Sequence, residues 1–384
     1  MLDNLTKRGS GHTPDKEFEE YYNGGIKWIS LADSYRLDNG LICETDIEIS
    51  ELGIKKSSAV LHPAGTVVMS RDAGVGKSAV MGIDMAVSQH FIAWICQNKL
   101  DNWFLYYWLQ SKKEYFERQA VGSTIRTIGL PLFRKLTIQH PKYPEQRAIA
   151  HVISTMDEVI TKINQLIAQK ELCKKWLMQQ LLTGKKRLKG FGGEWKESPL
   201  GDFIAESRIP STNNDVERRI TVKLNLKGIE KREVRGTEVE DATSYYKRKT
   251  GQFIYRKQNF HKGAFGIIPE ELDEFESSQD IPAFDFVGEI NPNFFFYFLS
   301  QESIYQSLEK ISTGTGSKRI HPEELYKVAY KFPEEGEQNT IVKVLQAADK
   351  EMQLLKAKAA KLKEQKKGMM QVLLTGKIRL KVFE

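Results

Sequence analysis

A chain of 384 residues is too long for one small hydrophobic core, so two or more domains are expected. A formal charge of +7 and a pI near 9.0 fit a nucleic-acid partner without demonstrating one. Cys43, Cys96 and Cys173 have neither metal nor disulfide spacing, and the start MLDNLTKRGSGHTPDK has no apolar signal core. HFIAWIC and NFFFYFL are too short to span a bilayer. The expectation is a cytoplasmic protein in a reducing setting, with no membrane partner and no metal.

Residues 1–143 read as the first globular region. Short β-type runs, Ile26-Lys27-Trp28-Ile29 and Thr66-Val67-Val68-Met69, mix with a helical stretch from Trp103 to Gln119, and Gly, Pro, Asn and Asp punctuate the whole. That pattern is α+β with many loops. GTVVMSRDAGVGKSAV at 65–80 looks at first like a phosphate-binding P-loop, but Arg71 stands where the motif needs its first glycine. An arginine there would fill the space of the phosphate, so nucleotide hydrolysis is set aside. A strand ending in Arg71, Lys77 and Ser78 suits contacts to DNA phosphates or base edges, with a solvated turn as the plain alternative. GSTIRTIGLPLFRKLTIQHP at 122–141 reads as a loop leading into a strand. Ser123, Thr124 and Arg126 are further DNA candidates there, unless the loop only seats the globule on the next element.

That element, residues 144–184, is a helix. Ile149, Ile153, Met156, Ile160, Ile163 and Ile167, then Leu177 and Leu181, recur in steps of three and four that average about 3.5, the coiled-coil period. Lys170 and Lys174 interrupt the stripe, and Leu-Leu-Thr-Gly ends it at Gly184. Residues 185–198, basic and Gly-rich, read as a linker. Residues 199–333 form a second globular region with strands, a basic aromatic loop from Tyr255 to Gly263, and an aromatic helix from Phe294 to Ser307. Arg256, Lys257 and Lys262 are its first DNA candidates; Ser317, Lys318 and Arg319 follow in GTGSKRIHPEELYKVAYKFP at 314–333. Asn291-Pro292-Asn293-Phe294 resembles the N-P-P-aromatic motif of amino-methyltransferases, but Asn293 replaces the second proline and no Gly-rich cofactor site accompanies it, so it reads as a helix entry. Residues 334–376 are a second long helix with Ile341, Leu345, Met352, Leu355, Leu362 and Met369 on its seam and Lys366 interrupting it; 377–384 are a tail.

The two helices are copies of one another. Glu145 aligns with Glu337, Thr183 with Thr375 and Leu188 with Leu380, without a gap, at a spacing of 192, half the length of the chain. Gly122 and Gly314, Arg126 and Lys318, and Leu136 and Val328 keep the same spacing. The chain is therefore two half-length units in tandem. Helices of roughly 57 Å exceed the reach of globules roughly 35–40 Å across, which favours antiparallel pairing. The expected fold is α+β: two unlike globular domains separated by a pair of long antiparallel helices, a coiled coil with a pseudo-two-fold internal repeat. Two unlike readers held apart would suit a split DNA site, with half-sites about 34 Å apart.

The chain resembles the specificity (S) subunits of type I restriction-modification systems. Pro144-Glu145-Gln146-Arg147-Ala148-Ile149-Ala150, its counterpart Gly336-Glu337-Gln338, and Leu-Leu-Thr-Gly-Lys at 181–185 and 373–377 carry the resemblance, with Ser70 to Lys77 and the Gly122-Ser123-Thr124 loop in support. It covers essentially the whole chain. The departures are the missing tryptophan-containing lead-in of the first unit and the Glu335-Gly336 entry to the second helix. The resemblance implies a non-catalytic protein whose globules are target recognition domains, each reading one half of a bipartite double-stranded DNA sequence. It implies helices that set spacing and dock two methyltransferase (modification) subunits, with restriction/translocase subunits joining them. S-adenosylmethionine, ATP and Mg would belong to those partners, and no cofactor to this chain. A coiled-coil adaptor that binds proteins without reading DNA is the alternative from another class, and sequence-selective DNA protection separates the two.

Overall fold

A computed structural model describes residues 1–211, 215–234, 244–314 and 318–381. It divides into two compact units, Met1–Asn164 with Ala357–Glu384, and Gln165–Lys356. Each unit takes the N-terminal part of one long helix and the C-terminal part of the other.

In the first unit a five-stranded sheet runs in the order Thr6–Gly9, Phe91–Cys96, Val67–Ser70, Ser78–Met81, Leu41–Ile42. The first four are antiparallel neighbours and the last pairs in parallel. The strands alternate between two cores, as a pleat requires. Val67, Met69, Val80, Ile92 and Trp94 face a cluster with Phe104, Tyr107, Trp108 and Phe133. Val68, Ala79, Met81 and Phe91 face another with Ile29, Met85 and Val87. A sheet covered on both faces needs apolar residues at consecutive positions, which is why the run Val67-Val68-Met69 lacks polar alternation. A four-stranded sheet, Glu48–Ile49, Tyr22–Ile29, Met85–Val87, Leu61–His62, completes the globule.

The second unit repeats the antiparallel part of this plan: Ile204–Ser207, Ala283–Phe286, Phe253–Tyr255, Phe265–Ile267. Phe253, Tyr255, Phe265 and Phe284 face the helix Pro292–Leu299, while Ile254 and Ala283 face Ile220, Val222 and Ile268. The aromatic run Phe294 to Phe298 seats on these rings, and Phe253 lies edge-on to Phe295 at 5.2 Å between centroids. Asn291 caps this helix by accepting from the backbone N–H groups of Asn293 and Phe294, the helix entry read in the sequence. Asp101 does the same for Asn102–Ser111.

The long helices are Tyr143–Leu181 and Glu335–Leu373, 39 residues each. Both end on a left-handed glycine, Gly184 at φ 70° and Gly376 at φ 72°. Lys186 N–H returns to Gln180 O and Ile378 N–H to Val372 O, closing the chain back over the last turn beyond the left-handed glycine. Within each unit the helix segments run antiparallel. In the first, Asp157 meets Lys366 at 2.5 Å and Glu145 meets Arg379 at 2.7 Å. In the second, Asp349 meets Lys174 at 2.5 Å and Glu337 meets Arg187 at 2.6 Å. Ile149, Ile153, Ile160, Ile163, Ile341 and Leu345 are buried, and Met156, Ile167, Met352, Leu355, Leu362 and Met369 half-buried. Ile149 and Ile153 also belong to the core of the first globule, and Ile341 and Leu345 to that of the second. The first turns of each helix therefore root it in a domain before the seam begins. The segment 185–198 is more ordered than a linker: Trp195 donates its indole N–H to Glu337 at 3.2 Å, and Lys196–Pro199 pairs with Ala329–Phe332.

Candidate nucleic-acid interface

Three segments meet at the end of an interior strand in each sheet, tied by the same backbone bonds. In the first unit, Arg71 N–H donates to His90 O at 2.9 Å, Ile128 N–H donates to Arg71 O at 2.9 Å, and Ser70 N–H donates to Lys77 O at 2.8 Å. In the second, Lys257 N–H donates to Asp280 O at 3.0 Å, Ile320 N–H to Lys257 O at 2.9 Å, and Arg256 N–H to Ala264 O at 2.9 Å. Arg71 and Lys257 are thus equivalent positions, as are His90 and Asp280. The hairpin beside them closes through a bridge between Val121 and Thr127 in one unit and Thr313 and Arg319 in the other. Gly122 and Gly314 open these hairpins at φ 127° and 103°. At Gly122 a Cβ would lie 2.3 Å from Ile125 O, so only glycine fits that turn.

The predicted residues fall into three groups around this junction. Lys77, Thr124 and Arg126 come together with Gly74, Lys113 and Glu117 around an open cavity of about 410 Å³. Ser123 is exposed in the same hairpin, Lys262 is exposed, and Arg256 and Lys257 are half-buried at the equivalent strand end. Arg71 is partly buried beside Asp72, and its Nε has no hydrogen-bond partner. Lys77 is drawn inward, donating to Ser34 O at 3.1 Å. Arg126 clamps its hairpin to the preceding helix, donating to Glu117 O at 2.6 Å and Ala120 O at 3.1 Å. Lys318, its counterpart, does so through the Glu309 carboxylate at 2.9 Å, and the ammonium holds that carboxyl below its ordinary pKa. Arg319 lies 3.7 Å from Asp280. Ser317 lies outside the described residues.

Ser78 requires a correction. It was expected to reach DNA, but it is fully buried at the head of the strand Ser78–Met81, and its Oγ accepts from Gln110 Nε2 at 2.8 Å. Its counterpart by register is the core residue Phe265. The P-loop resemblance ends at the same place, because a strand follows the glycine turn where a phosphate cradle needs a helix N-terminus.

The sequence reading used Glu145, Gln146, Glu337 and Gln338 only as landmarks, and missed what they do. Gln146 accepts from Asp101 N–H at 2.9 Å and donates to Pro141 O at 2.9 Å; Gln338 accepts from Asn291 N–H at 2.8 Å and donates to Pro333 O at 2.9 Å. Each glutamine ties the long helix to the aromatic helix of its globule. Glu145 takes both arms of the Arg379 guanidinium, at 2.8 and 2.7 Å, and Glu337 those of Arg187 at 2.6 Å. The Arg379 hydrogen bonds hold the Glu145 carboxyl below its ordinary pKa. The signal was present, since Arg187 and Arg379 keep the 192-residue spacing. Each of the two seam aspartates also has a tyrosine: Tyr107 donates to Asp157 at 3.0 Å and Tyr297 to Asp349 at 2.7 Å. Burial, first of all, pushes both phenols well above their ordinary pKa. Burial likewise lowers the Arg248 guanidinium to about 10, while it donates to Ser277 Oγ and Ser207 O.

Among the described residues no cluster of His, Cys, Asp and Glu could hold a metal ion, and no helix is long and apolar enough to cross a membrane.

The family described as Type I restriction modification DNA specificity domain matches this chain twice, over residues 2–171 and 193–364. The MjaVIII specificity subunit of a type I restriction enzyme of Methanocaldococcus jannaschii is 24% identical over 311 residues, covering 74% of this chain and 72% of that protein. The MjaIX specificity subunit of the same organism is 26% identical over 224 residues, 55% of this chain, and the match spans about half, 51%, of its own length. Among solved structures, the type I S subunit from M. genitalium superposes with a TM-score of 0.58 at 16% identity, covering 97% of this chain and 94% of that one. The HsdS subunit from Thermoanaerobacter tengcongensis gives 0.52 at 15% identity, over 98% and 96%. These structures share the fold. With the doubled match covering most of its length, the chain belongs to the type I restriction-modification DNA specificity family.

Proposed function

We propose that this chain is the non-catalytic, sequence-reading subunit of a type I modification or restriction complex. Each unit reads one half of a bipartite, asymmetric double-stranded DNA target. The long helices dock two methyltransferase subunits, and restriction/translocase subunits join the complex in the cytoplasm. S-adenosylmethionine serves the methyltransferase subunits, ATP and Mg the translocase subunits. The observation that carries the reading is the junction built twice on the same backbone bonds with different side chains: Arg71 and His90 in one unit, Lys257 and Asp280 in the other. One scaffold with two chemistries suits two unlike half-sites. Support for docking comes from Leu172, Trp176 and Leu354, apolar side chains left exposed on the long helices.

The test is selection from a random DNA library by the chain reconstituted with its methyltransferase subunits. The reading predicts two unlike half-sites around a fixed unspecified gap. No sequence enrichment from an assembled complex would contradict it and favour the protein-binding adaptor.

A further inference from the structure

The junction adds His90 and Asp280, which the sequence did not single out, to Arg319, which it did. Its backbone bonds match between units to within 0.2 Å, yet position 90/280 is His in one and Asp in the other, and position 127/319 is Thr in one and Arg in the other. The two sites adjoin at the junction, and the chemistry of both changes while the backbone bonds stay the same. In the second unit the two side chains face each other. Arg319 Nη2 lies 3.7 Å from Asp280 Oδ2, and the side chains are 40% and 52% exposed. At that length the guanidinium and carboxylate attract without a hydrogen bond, and Arg319 Nε has no hydrogen-bond partner. In the first unit His90 is instead held by Asp72, with Nδ1 at 2.6 Å from Oδ2.

Resting on the sequence-reading function proposed above, we propose that Asp280 and Arg319 together read one G·C base pair of the second half-site, and that His90 occupies the corresponding reading position of the first. Arginine matches the paired O6 and N7 acceptors of guanine, and a carboxylate accepts from the N4 amine of cytosine. A pair holding one of each, adjacent and unbonded, offers complementary partners to the two bases of one pair. Lys318, by contrast, is committed to Glu309 at 2.9 Å and acts as a hairpin clamp.

The test uses the full chain assembled with its methyltransferase subunits, and competition by the selected DNA carrying each single base-pair substitution in turn. Asp280→Asn and Arg319→Lys should each lose discrimination at the same G·C pair, by roughly 5- to 150-fold, and leave the first half-site unchanged. Asp280→His should change the preferred base there. His90→Ala should relax one position of the first half-site only. Equal weakening on every competitor would overturn the proposal, since it would make these residues phosphate contacts. So would unchanged discrimination in variants that melt and assemble like the parent. Failure of the parent complex to select any split sequence would instead overturn the sequence-reading function itself.

Discussion

At the scale of single residues, the glutamines of the helix entries are the most consequential side chains outside the junction. Gln338 is 1% exposed and joins Asn291 N–H to Pro333 O. Gln338→Ala leaves a buried donor and acceptor without partners, which costs about 2 kcal/mol and should lower the unfolding midpoint of the second unit in denaturant melts. Glu145 carries a pH dependence. Its folded pKa is depressed by Arg379, so its stabilisation is present above the unfolded carboxylate value, roughly 4.3, and is lost as pH falls through the lower folded value. Thermal melts between pH 6 and 3 should show that loss, and Arg379→Ala should flatten it. Arg71→Ala and Lys257→Ala, at equivalent places in different units, should relax different half-sites in DNA selection; uniform weakening by both would make them phosphate contacts only. The clamps and the proposed reading positions were unequally legible. Gly122 and Gly314 stand at the shared spacing of 192, whereas Arg71 and Lys257 stand 186 apart and His90 and Asp280 190 apart. The drift hides their equivalence until the backbone bonds restore it. Ser78 was misread for the same reason, because its kinship with Phe265 needs the strand register.

Among elements, the seam owes its register to charges as much as to apolar residues. Lys174 and Lys366 looked like breaks in the stripe. Each is instead paired with an aspartate of the facing helix and lies over a tyrosine ring, at 5.3 Å for Tyr297 and 5.4 Å for Tyr107. Such keys fix an antiparallel register, since a slip leaves both charges unpartnered in a half-buried seam. Lys366→Glu should destabilise the first unit by about 1–2 kcal/mol after allowing for solvent screening, and Asp157→Lys added to it should restore most of the loss. A double variant as unstable as the single one would show that packing alone sets the register. The helix period and the stop signals were plain in the sequence because they are local. The partners of the lysines were not, because they lie 175 and 209 residues away.

For the whole molecule, the proposed function requires that one chain carry two readers of unlike chemistry on a duplicated scaffold. The duplication was fully legible, since the second helix is a gap-free copy of the first at half the chain length. The chemistry proposed for each unit was legible only as a surplus of basic residues near loops, two of which, Arg126 and Lys318, brace their hairpins. The most direct test is methylome mapping by long reads in a host lacking adenine modification, expressing this chain with its methyltransferase subunits. A new split motif, two unlike half-sites around a fixed gap, should appear and should vanish when this chain is omitted. A motif that persists without the chain, or no new methylation from an assembled and folded complex, would contradict the proposed function.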